Sequence, residues 1–453
     1  MINKISNIII ANEAEAFDKI LCRIKNVNQR TVRIRNEHYL SNRALFWQDD
    51  DKIIITPFPI QKILLRIANN TLNMQNVENW YPNNIDISLS AAIIKDKKLW
   101  KKLKNTIKNN PQVTLSPYSY TSEFSKLINL LRKEKIHFNV DQESIPKSEW
   151  LTSYLGSKVG FRLESLKLSI FKKNFPTTKF FICENKTEVI NVVAWFYKNK
   201  MSCVIKTSYG EGGWGLIMIN KNKYNSIARL KQYINDLMEK DPIWSAGQFV
   251  VEELILSYNK NYLNSPSLEI FVDNIGPTIT YVCNQIVNKS GEFIGILMGK
   301  DCIDNKIKKS MYNIGKIISN RYWSLGYRGF FDIDFIVSKN KTLFPIETNT
   351  RRTGGTHVFD LTKKIFGKYW DKKIVVLSFD SFNYGKTIFS AEIIIEKMSK
   401  ITFPINGENE GVVITIISQY KPVFGFIIFA SNKHKVMKIY KKLTTIWNKD
   451  IVK

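Results

Sequence analysis

The most regular alternation of hydrophobic and polar residues in this chain lies between residues 331 and 349. Apolar side chains occupy every second position from Phe331 to Val337, a polar segment follows at 338–341, and the alternation resumes at Phe344. Two period-2 runs joined by a short polar turn predict a β-hairpin. A turn centred between Asn340 and Lys341 predicts the cross-strand pairs Val337 with Phe344, Phe335 with Ile346, Ile333 with Thr348, Asp334 with Glu347, and Asp332 with Asn349.

Strand and helix patterns alternate through the first 150 residues. Short apolar runs predict strands, and longer amphipathic runs predict helices. The predicted strands are 52–60, 85–94 and 113–120, and the predicted helices are 60–70, 99–110 and 121–135. This order favours a parallel α/β sheet, and the polar segment 146–150 predicts a linker behind it.

The remaining chain combines antiparallel patterns with helices. Up to residue 370 we expect a hairpin at 202–220, strands at 248–255, 265–273, 279–287 and 293–299, and helices at about 223–239 and 305–320. Beyond it we expect strands at 374–380, 411–418 and 424–430, and helices from about 388 and at 432–447. The predicted fold class is therefore α/β together with α+β, in three units at 1–150, 151–370 and 371–453.

The predicted hairpin places carboxylates opposite one another. Asp334 faces Glu347 in this register, and directly opposed like charges destabilise a sheet. A hard divalent cation would relieve the repulsion, because Mg²⁺ is typically held by one or two carboxylates together with substrate phosphates. The alternative is a solvated hairpin whose acids face water.

A second hairpin, at 202–220, carries a glycine-rich loop. Its residues spell G-x-G-x-x-G, but a β-branched strand follows where a dinucleotide fingerprint needs a helix, so a Rossmann site is excluded. Glycines let backbone N–H groups approach phosphates closely, and Lys206 just before them supplies a point charge. The predicted phosphate contacts are Lys206, Gly210, Gly212, Gly213 and Gly215. The alternative is a flexible surface hairpin.

Composition is that of an ordinary globular protein. The 453 residues are 44% hydrophobic and 24% charged, and no run approaches the ~20 apolar residues of a membrane span. The five cysteines are scattered and form no CxxC pair, which favours a reducing cytoplasm without disulfides or structural zinc.

The net charge of +27 raises the question of an anionic partner. One interpretation is compositional, because Lys, Asn and Ile are abundant throughout the chain. The other is an acidic carrier protein or another anionic partner. Nucleic acid is less favoured, since the sequence shows no recognition motif for it.

With these residues identified, a family resemblance becomes visible. Asp334, Glu347, Asn349 and Arg351 resemble the D…E-x-N-x-R metal hairpin of the ATP-grasp ligases. The continuation RTGGTH at 352–357 is similar to a narrower group, the peptide or amide ligases that carry a "pre-ATP-grasp" domain in front. The resemblance implies a pre-ATP-grasp domain at 1–150, a two-subdomain ATP-grasp fold and a small C-terminal cap, with ATP and Mg²⁺ or Mn²⁺ as cofactors.

The resemblance also implies roles for single residues. It implies that the metal ligands are Asp334, Glu347 and Asn349. It implies that the residues contacting the purine are Glu252, Glu253 and Leu254. Lys158 matches the entry-segment lysine that contacts phosphates, with Lys167 as an alternative, because the chain carries extra residues there. The acid expected to bind ribose is replaced by Asn259.

The segment that closes the hairpin suggests the acid substrate's site. Arg351 suits bidentate contact with a carboxylate or acyl phosphate, and His357 could orient a substrate or shuttle the amine proton. The alternative is a tight turn with Arg351 paired to Glu347.

The function we expect is ATP-dependent ligation of a carboxylic acid to an amine through an acyl phosphate, with Lys206, Arg351 and His357 as catalytic residues. The substrates would be small acids and amines, such as amino acids or peptides. Two rivals remain: the same activation with a carrier-protein thiol as acceptor, and a nucleotide-binding regulatory protein without turnover.

Overall fold

The computed structural model describes residues 4–146, 149–211, 213–245, 247–257, 265–287 and 293–451. Within these ranges the strands form three sheets, of five, four and eight strands. No helix among the described residues has both the length and the apolar composition that crossing a membrane requires.

The first sheet is built by the N-terminal third of the chain. Its strands are β1 (Asn7–Ile10), β2 (Lys52–Ile55), β3 (Val77–Trp80), β4 (Thr114–Pro117) and β5 (Asn139–Val140). They run parallel in the order β3-β2-β1-β4-β5, which confirms the predicted parallel sheet. The accompanying helices are α1 (Glu13–Ala16), α2 (Asp18–Leu21), α3 (Val27–Leu40), α4 (Lys62–Asn70), α5 (Leu89–Lys95), α6 (Lys97–Asn109) and α7 (Ser122–Lys133).

The predicted strand at 85–94 is wrong. This segment forms α5, which begins after Ser88, whose hydroxyl accepts a hydrogen bond from the Ala91 amide. An N-cap serine followed by two alanines outweighs the apolar run, because short apolar runs do not distinguish a strand from a buried helix.

The second sheet carries the glycine-rich hairpin. Its antiparallel strands are β6 (Phe180–Cys183), β7 (Cys203–Glu211), β8 (Trp214–Ile219) and β9 (Phe249–Glu253), in the order β6-β9-β7-β8. The helices α8 (Trp150–Leu155) and α9 (Lys158–Phe171) lead into this sheet, and α10 (Lys186–Lys198) and α11 (Ile227–Lys240) pack against each other beside it. The predicted hairpin at 202–220 is confirmed.

The third sheet contains the predicted metal hairpin. Its strands are β10 (Ser265–Val272), β11 (Pro277–Val287), β12 (Phe293–Gly299), β13 (Gly329–Val337), β14 (Leu343–Asn349), β15 (Val375–Asn383), β16 (Gly411–Ile417) and β17 (Val423–Ala430). They follow the order β14-β13-β10-β11-β12-β15-β17-β16. Its helices are α12 (Asn305–Ser324), α13 (Thr356–Phe366), α14 (Ala391–Met398) and α15 (Lys433–Ile451).

Within the described part of the predicted C-terminal unit, residues 371–451, the strands form no separate sheet. Its first strand, β15, pairs with β12 from Gly295 to Gly299, so the antiparallel sheet continues across residue 370. The backbone of this unit is therefore bonded directly to the strands that lead to the metal hairpin.

The hairpin register is confirmed where it matters for chemistry. Asp332 pairs with Asn349, Ile333 with Thr348, and Asp334 with Glu347. Nearer the turn the register shifts, so that Phe335 pairs with Pro345 and Val337 with Leu343. The predicted pairs of Phe335 with Ile346 and of Val337 with Phe344 are wrong, because a β-bulge at this point takes up one residue of β14.

Candidate functional site

The paired strands β13 and β14 bring acidic and amide side chains onto one face. Asn349 donates from Nδ2 to Asp332 at 2.9 Å and to Asp334 at 3.3 Å. Gln285, on β11, donates to the other oxygen of Asp334 at 2.5 Å. The amide groups hold the carboxylates in place, and Glu347 lies directly across the ladder from Asp334.

The charges of this group are strongly coupled. Burial, and then the charges of Asp332 and Glu347, raise the pKa of Asp334 well above its usual range. Burial also raises the pKa of Asp332 to about 6, although Arg351 opposes the shift. Burial acts in the same sense on Glu347, but Lys158 and Lys206 outweigh it and lower the pKa to about 2. Such a cluster needs a bound proton or a cation to relieve its repulsion.

The side chains of this group are of the kind that would hold a magnesium ion together with phosphate oxygens. Asp334 and Glu347 offer two carboxylates, which are hard ligands of the type Mg²⁺ prefers. Asn349 would add its amide oxygen after a turn of the amide group, because its Nδ2 faces Asp332 and Asp334 in this structure. Within the described residues, no group of three or more His, Cys, Asp or Glu side chains is placed to hold a metal ion on its own. A partial protein set completed by phosphate oxygens is the usual arrangement for this ion.

Lys158 reaches the hairpin from the start of α9. Its Nζ lies 2.9 Å from Glu347 Oε2, and the side chain is almost fully buried. Lys167, the alternative, instead pairs with Glu164 at 2.7 Å and is half exposed. Only Lys158 of these two lies among the residues of the hairpin.

Lys206 is also buried, on β7. Its Nζ lies 2.8 Å from Glu252 Oε1 and donates to the Ile346 carbonyl at 3.3 Å. The other Glu252 oxygen accepts from Arg162, whose guanidinium also bonds the carbonyls of Pro345 and Ile346 at 3.3 Å. Arg162 was missed by the sequence analysis. It connects the predicted purine strand to the metal hairpin.

The predicted purine contacts are more restricted than expected. The Glu252 carboxylate is held inside the protein by Arg162 and Lys206, which keep its pKa low against the effect of burial. The backbone amides of Glu253 and Leu254 donate to Lys179 and Ser202 carbonyls at 2.9 and 3.0 Å. Contacts to a purine from these residues would therefore use their carbonyl oxygens. Asn259 lies outside the described residues.

The glycine-rich loop requires glycine at two positions for steric reasons. A Cβ at Gly210 would lie 2.5 Å from the Trp214 carbonyl oxygen, and one at Gly215 would lie 2.3 Å from Thr207 Oγ1. Gly213 and Gly215 also have positive φ, at 91° and 83°. Gly212 lies outside the described residues.

The tip of this hairpin rests on the N-terminal domain. The Lys19 ammonium lies 4.7 Å from the centre of the Tyr209 ring, and the Arg33 guanidinium lies 4.9 Å from that of Trp214. Contacts of this type are worth about 0.5–1 kcal/mol each at exposed sites. They hold the loop beside α2 and α3.

The segment that follows β14 is held in place by hydrogen bonds to a buried acid, Glu269 on β10. Its carboxylate accepts from the hydroxyls of Thr356, Thr353 and Thr280 at 2.5, 2.9 and 3.0 Å. Burial raises the pKa of Glu269 to about 7 despite these bonds. The sequence signal for this residue is that Glu269 is the single acid within the apolar strand Ser265–Val272.

Glu269→Gln should change how stability depends on pH. Between about pH 4.5 and 7 the unfolded chain loses this proton while the folded chain keeps it, so the wild type becomes less stable as pH rises. The glutamine variant lacks this loss. Its free energy of unfolding relative to wild type should therefore rise by about 2 kcal/mol from pH 5 to pH 7.5. Urea denaturation at both pH values measures this, and Glu392→Gln on the exposed face of α14 is the control. A constant difference would contradict the assignment.

His357 does not have the position expected of a proton shuttle. Its side chain is completely buried, and neither ring nitrogen has a well-formed hydrogen bond among the described residues. Burial and the nearby charge of Arg43 lower its pKa well below 6.5, although the Gly354 backbone opposes this. The ring is packed inside the protein and away from solvent, which does not support the expected substrate contact at His357.

Arg351 remains beside the site. Its guanidinium lies 5.1 Å from the Phe17 ring and 5.8 Å from the Tyr118 ring, and donates to Asn349 Oδ1 at 3.4 Å. Glu347 is paired with Lys158, so the alternative in which Arg351 neutralises Glu347 is not the arrangement observed. The arginine thus lies between the N-terminal sheet and the metal hairpin.

Arg352 joins the same two parts of the molecule. It is fully buried, lies 4.1 Å from the Phe330 ring, and pairs with Asp141 at 3.3 Å. Its backbone amide donates to the Tyr118 carbonyl at 3.0 Å. The local sequence indicates no role for this residue, because its hydrogen-bonding partners Asp141 and Tyr118 lie more than two hundred residues away in the chain.

Comparison with solved structures supports the architecture. N5-carboxyaminoimidazole synthetase from Staphylococcus aureus, solved with ADP, covers 98% of both chains with a TM-score of 0.53 and 13% identity. The biotin carboxylase domain of Hydrogenobacter thermophilus 2-oxoglutarate carboxylase was solved with MgADP and bicarbonate. It covers 94% of this chain and 87% of its own, with a TM-score of 0.52 and 12% identity. At these identities the likeness shows the fold, and the predicted fold class is confirmed.

Sequence comparison gives a shorter match. The chain is 26% identical over 185 residues to the [Butirosin acyl-carrier protein]--L-glutamate ligase of Niallia circulans. The match spans 40% of this chain and 40% of that protein. No family model matches the chain.

Proposed function

The chain has the fold of the ATP-grasp enzymes, and from this premise we propose that it is an ATP-dependent carboxylate–amine ligase. The observation that carries the proposal is the convergence of Lys158 and Lys206 on one end of a hairpin that presents Asp334 and Glu347. Opposite charges gathered in a buried site, beside a glycine-rich loop, suit the phosphates of a nucleotide.

Nucleotide would bind between the hairpin of β7 and β8 and the strand β9. Lys206 and Lys158 would contact phosphate oxygens, and the loop at Gly210, Gly213 and Gly215 would add backbone donors. Carbonyls near Glu253 and Leu254 would accept from the purine edge. Magnesium held by Asp334, Glu347 and Asn349 would neutralise phosphate charge and polarise the γ-phosphate.

The substrate carboxylate would lie near Arg351. One carboxylate oxygen attacks the γ-phosphorus, the bond from phosphorus to the β–γ bridging oxygen breaks, and ADP and an acyl phosphate form. An amine then attacks the acyl carbon and releases phosphate, losing a proton as the amide forms. The contribution of the protein is mainly positioning and charge stabilisation.

The test is acid-dependent turnover. The protein with Mg²⁺ and ATP should release ADP when a pool of carboxylic acids is added. Hydroxylamine as the acceptor should convert the activated acid to a hydroxamate. Release of ADP that does not depend on any acid or amine would contradict a ligase.

The Arg351→Ala variant should show whether Arg351 acts on the acid substrate or on the nucleotide. We expect ATP affinity within about threefold of wild type and acid-dependent product formation reduced at least about 100-fold, since a charge-assisted bidentate contact is lost. Calorimetric titration with ATP and steady-state product formation measure the two effects. Loss of ATP binding with a normal rate at saturating ATP would instead assign Arg351 to the nucleotide.

A second acceptor is favoured by one comparison. The Niallia circulans relative is named as a ligase of a carrier protein with L-glutamate, and the present chain is strongly basic. The same acyl phosphate could therefore be passed to, or formed from, a group on an acidic carrier protein. This form of the proposal keeps every residue role given above.

A further inference from the structure

A groove with no role in the ATP site runs between α9 and α12. It has a volume of about 520 Å³ and lies on the molecular surface. It is lined by Leu168, Lys172, Asn313, Lys316, Ile317, Asn320, Arg321 and Ser324. Apolar side chains form its floor and basic or amide side chains its rim, which is the composition of a protein-binding surface.

The last turn of α9 exposes one large apolar side chain next to the groove. Phe171 is 78% exposed and directly precedes Lys172, which lines the groove. Leu166 and Ile170 are exposed as well, but each lies two positions from Leu168 and therefore points away from the groove. An apolar side chain that remains in water at the edge of an apolar groove adds contact area for a protein partner.

The charge around the groove has one sign. Across α9 and α12, which the structure describes in full, Glu164 is the one acidic residue. It is buried and already paired with Lys167 at 2.7 Å and with Arg321 at 2.8 Å. The exposed charges that remain come from lysines, including Lys172 and Lys316. A partner with an acidic face and a few apolar side chains would be complementary.

We propose that this groove, together with Phe171, is the docking surface for an acidic carrier protein. The inference rests on the carrier-protein form of the proposed function. It adds where that partner binds and which residues recognise it.

The position of the groove suits a partner that delivers its group on an arm. Lys158, at the start of α9, pairs with Glu347 of the metal hairpin. Lys172 lies directly after the other end of the helix, about 20 Å away at the α-helical rise per residue. A carrier protein bound at the groove would leave its body outside the site, while a flexible prosthetic arm extends to it.

The experiment compares two double charge reversals. Lys172→Glu with Lys316→Glu changes the rim of the groove. Lys101→Glu with Lys108→Glu makes the same net change on the exposed face of α6. The probe is the butirosin acyl-carrier protein, the partner named for the relative, labelled with a fluorophore and titrated by anisotropy at low salt. Each variant is also assayed for ADP release with hydroxylamine and the acid pool.

We expect the groove variant to bind the carrier protein at least about tenfold more weakly, and the α6 variant to bind within about twofold of wild type. Both should keep normal ADP release with hydroxylamine. A Phe171→Ser variant should weaken binding without any charge change.

Three results would overturn the inference. These are equal weakening by both charge variants, unchanged binding by the groove variant, and no detectable binding by wild type. Failure of the proposed function is a separate result, because it would appear as absent acid-dependent ADP release in the wild type without any carrier protein.

Discussion

Glu347→Gln and Asp334→Asn should each reduce ATP-dependent turnover by at least about 1,000-fold, which corresponds to about 4 kcal/mol of lost transition-state stabilisation. Both side chains keep their shape, but each loses the charge that would neutralise phosphate through the metal. Steady-state ADP release with saturating Mg²⁺ and acid measures the loss.

The Asp334→Asn variant should lose activity without losing stability. Burial and the charges of Asp332 and Glu347 raise the pKa of Asp334, so the ionised carboxylate costs free energy in the folded state. Asp334→Asn should therefore be at least as stable as wild type at pH 8, while it loses activity. Asp236→Asn, on the exposed face of α11, is the control for both measurements. Near-normal ATP consumption in the two site variants would show that the hairpin is not the metal site.

Lys206→Ala should weaken ATP binding by about 100-fold and change adenosine binding by no more than about threefold. The lysine would contact the phosphates of ATP, so the affinity for adenosine, which has no phosphate, should not depend on it. Arg162 still neutralises Glu252 when Lys206 is removed, so the fold should persist. Calorimetry with ATP, ADP and adenosine gives the three affinities.

The adenosine titration also reports on folding, because a misfolded variant would lose both ligands. Lys198→Ala on α10 is the matched control and should bind all three as wild type does. Equal losses for ATP and adenosine would mean that Lys206 supports the strand β7 and not the phosphates.

The sequence predicted those parts of the site that depend on local patterns. Period-2 alternation placed Asp334 opposite Glu347, and the register of this pair is confirmed. The same pattern failed at the next residue, Phe335, because a bulge depends on how the hairpin fits its neighbours and has no signature in the alternation. Local periodicity thus predicted the cross-strand pairs of the acidic residues but not the bulge beside them.

Long-range partners could not be predicted in this way. Arg162 and Glu252 are ninety residues apart in the chain, and Glu269 and Thr356 are eighty-seven apart. The local sequence around each of these residues is that of an ordinary helix or strand, and only the folded structure shows which residue it pairs with. His357 illustrates the converse, since its place in a motif suggested chemistry while packing buried it.

The most direct test of the central claim follows the oxygen atoms. A substrate acid labelled with ¹⁸O in its carboxylate is incubated with the protein, Mg²⁺, ATP and an amine, and the released phosphate is analysed by mass spectrometry. Formation of an acyl phosphate transfers one carboxylate oxygen to phosphorus, so each phosphate released with product should carry one ¹⁸O atom. Product formed with unlabelled phosphate, or with AMP and pyrophosphate in place of ADP, would contradict the account.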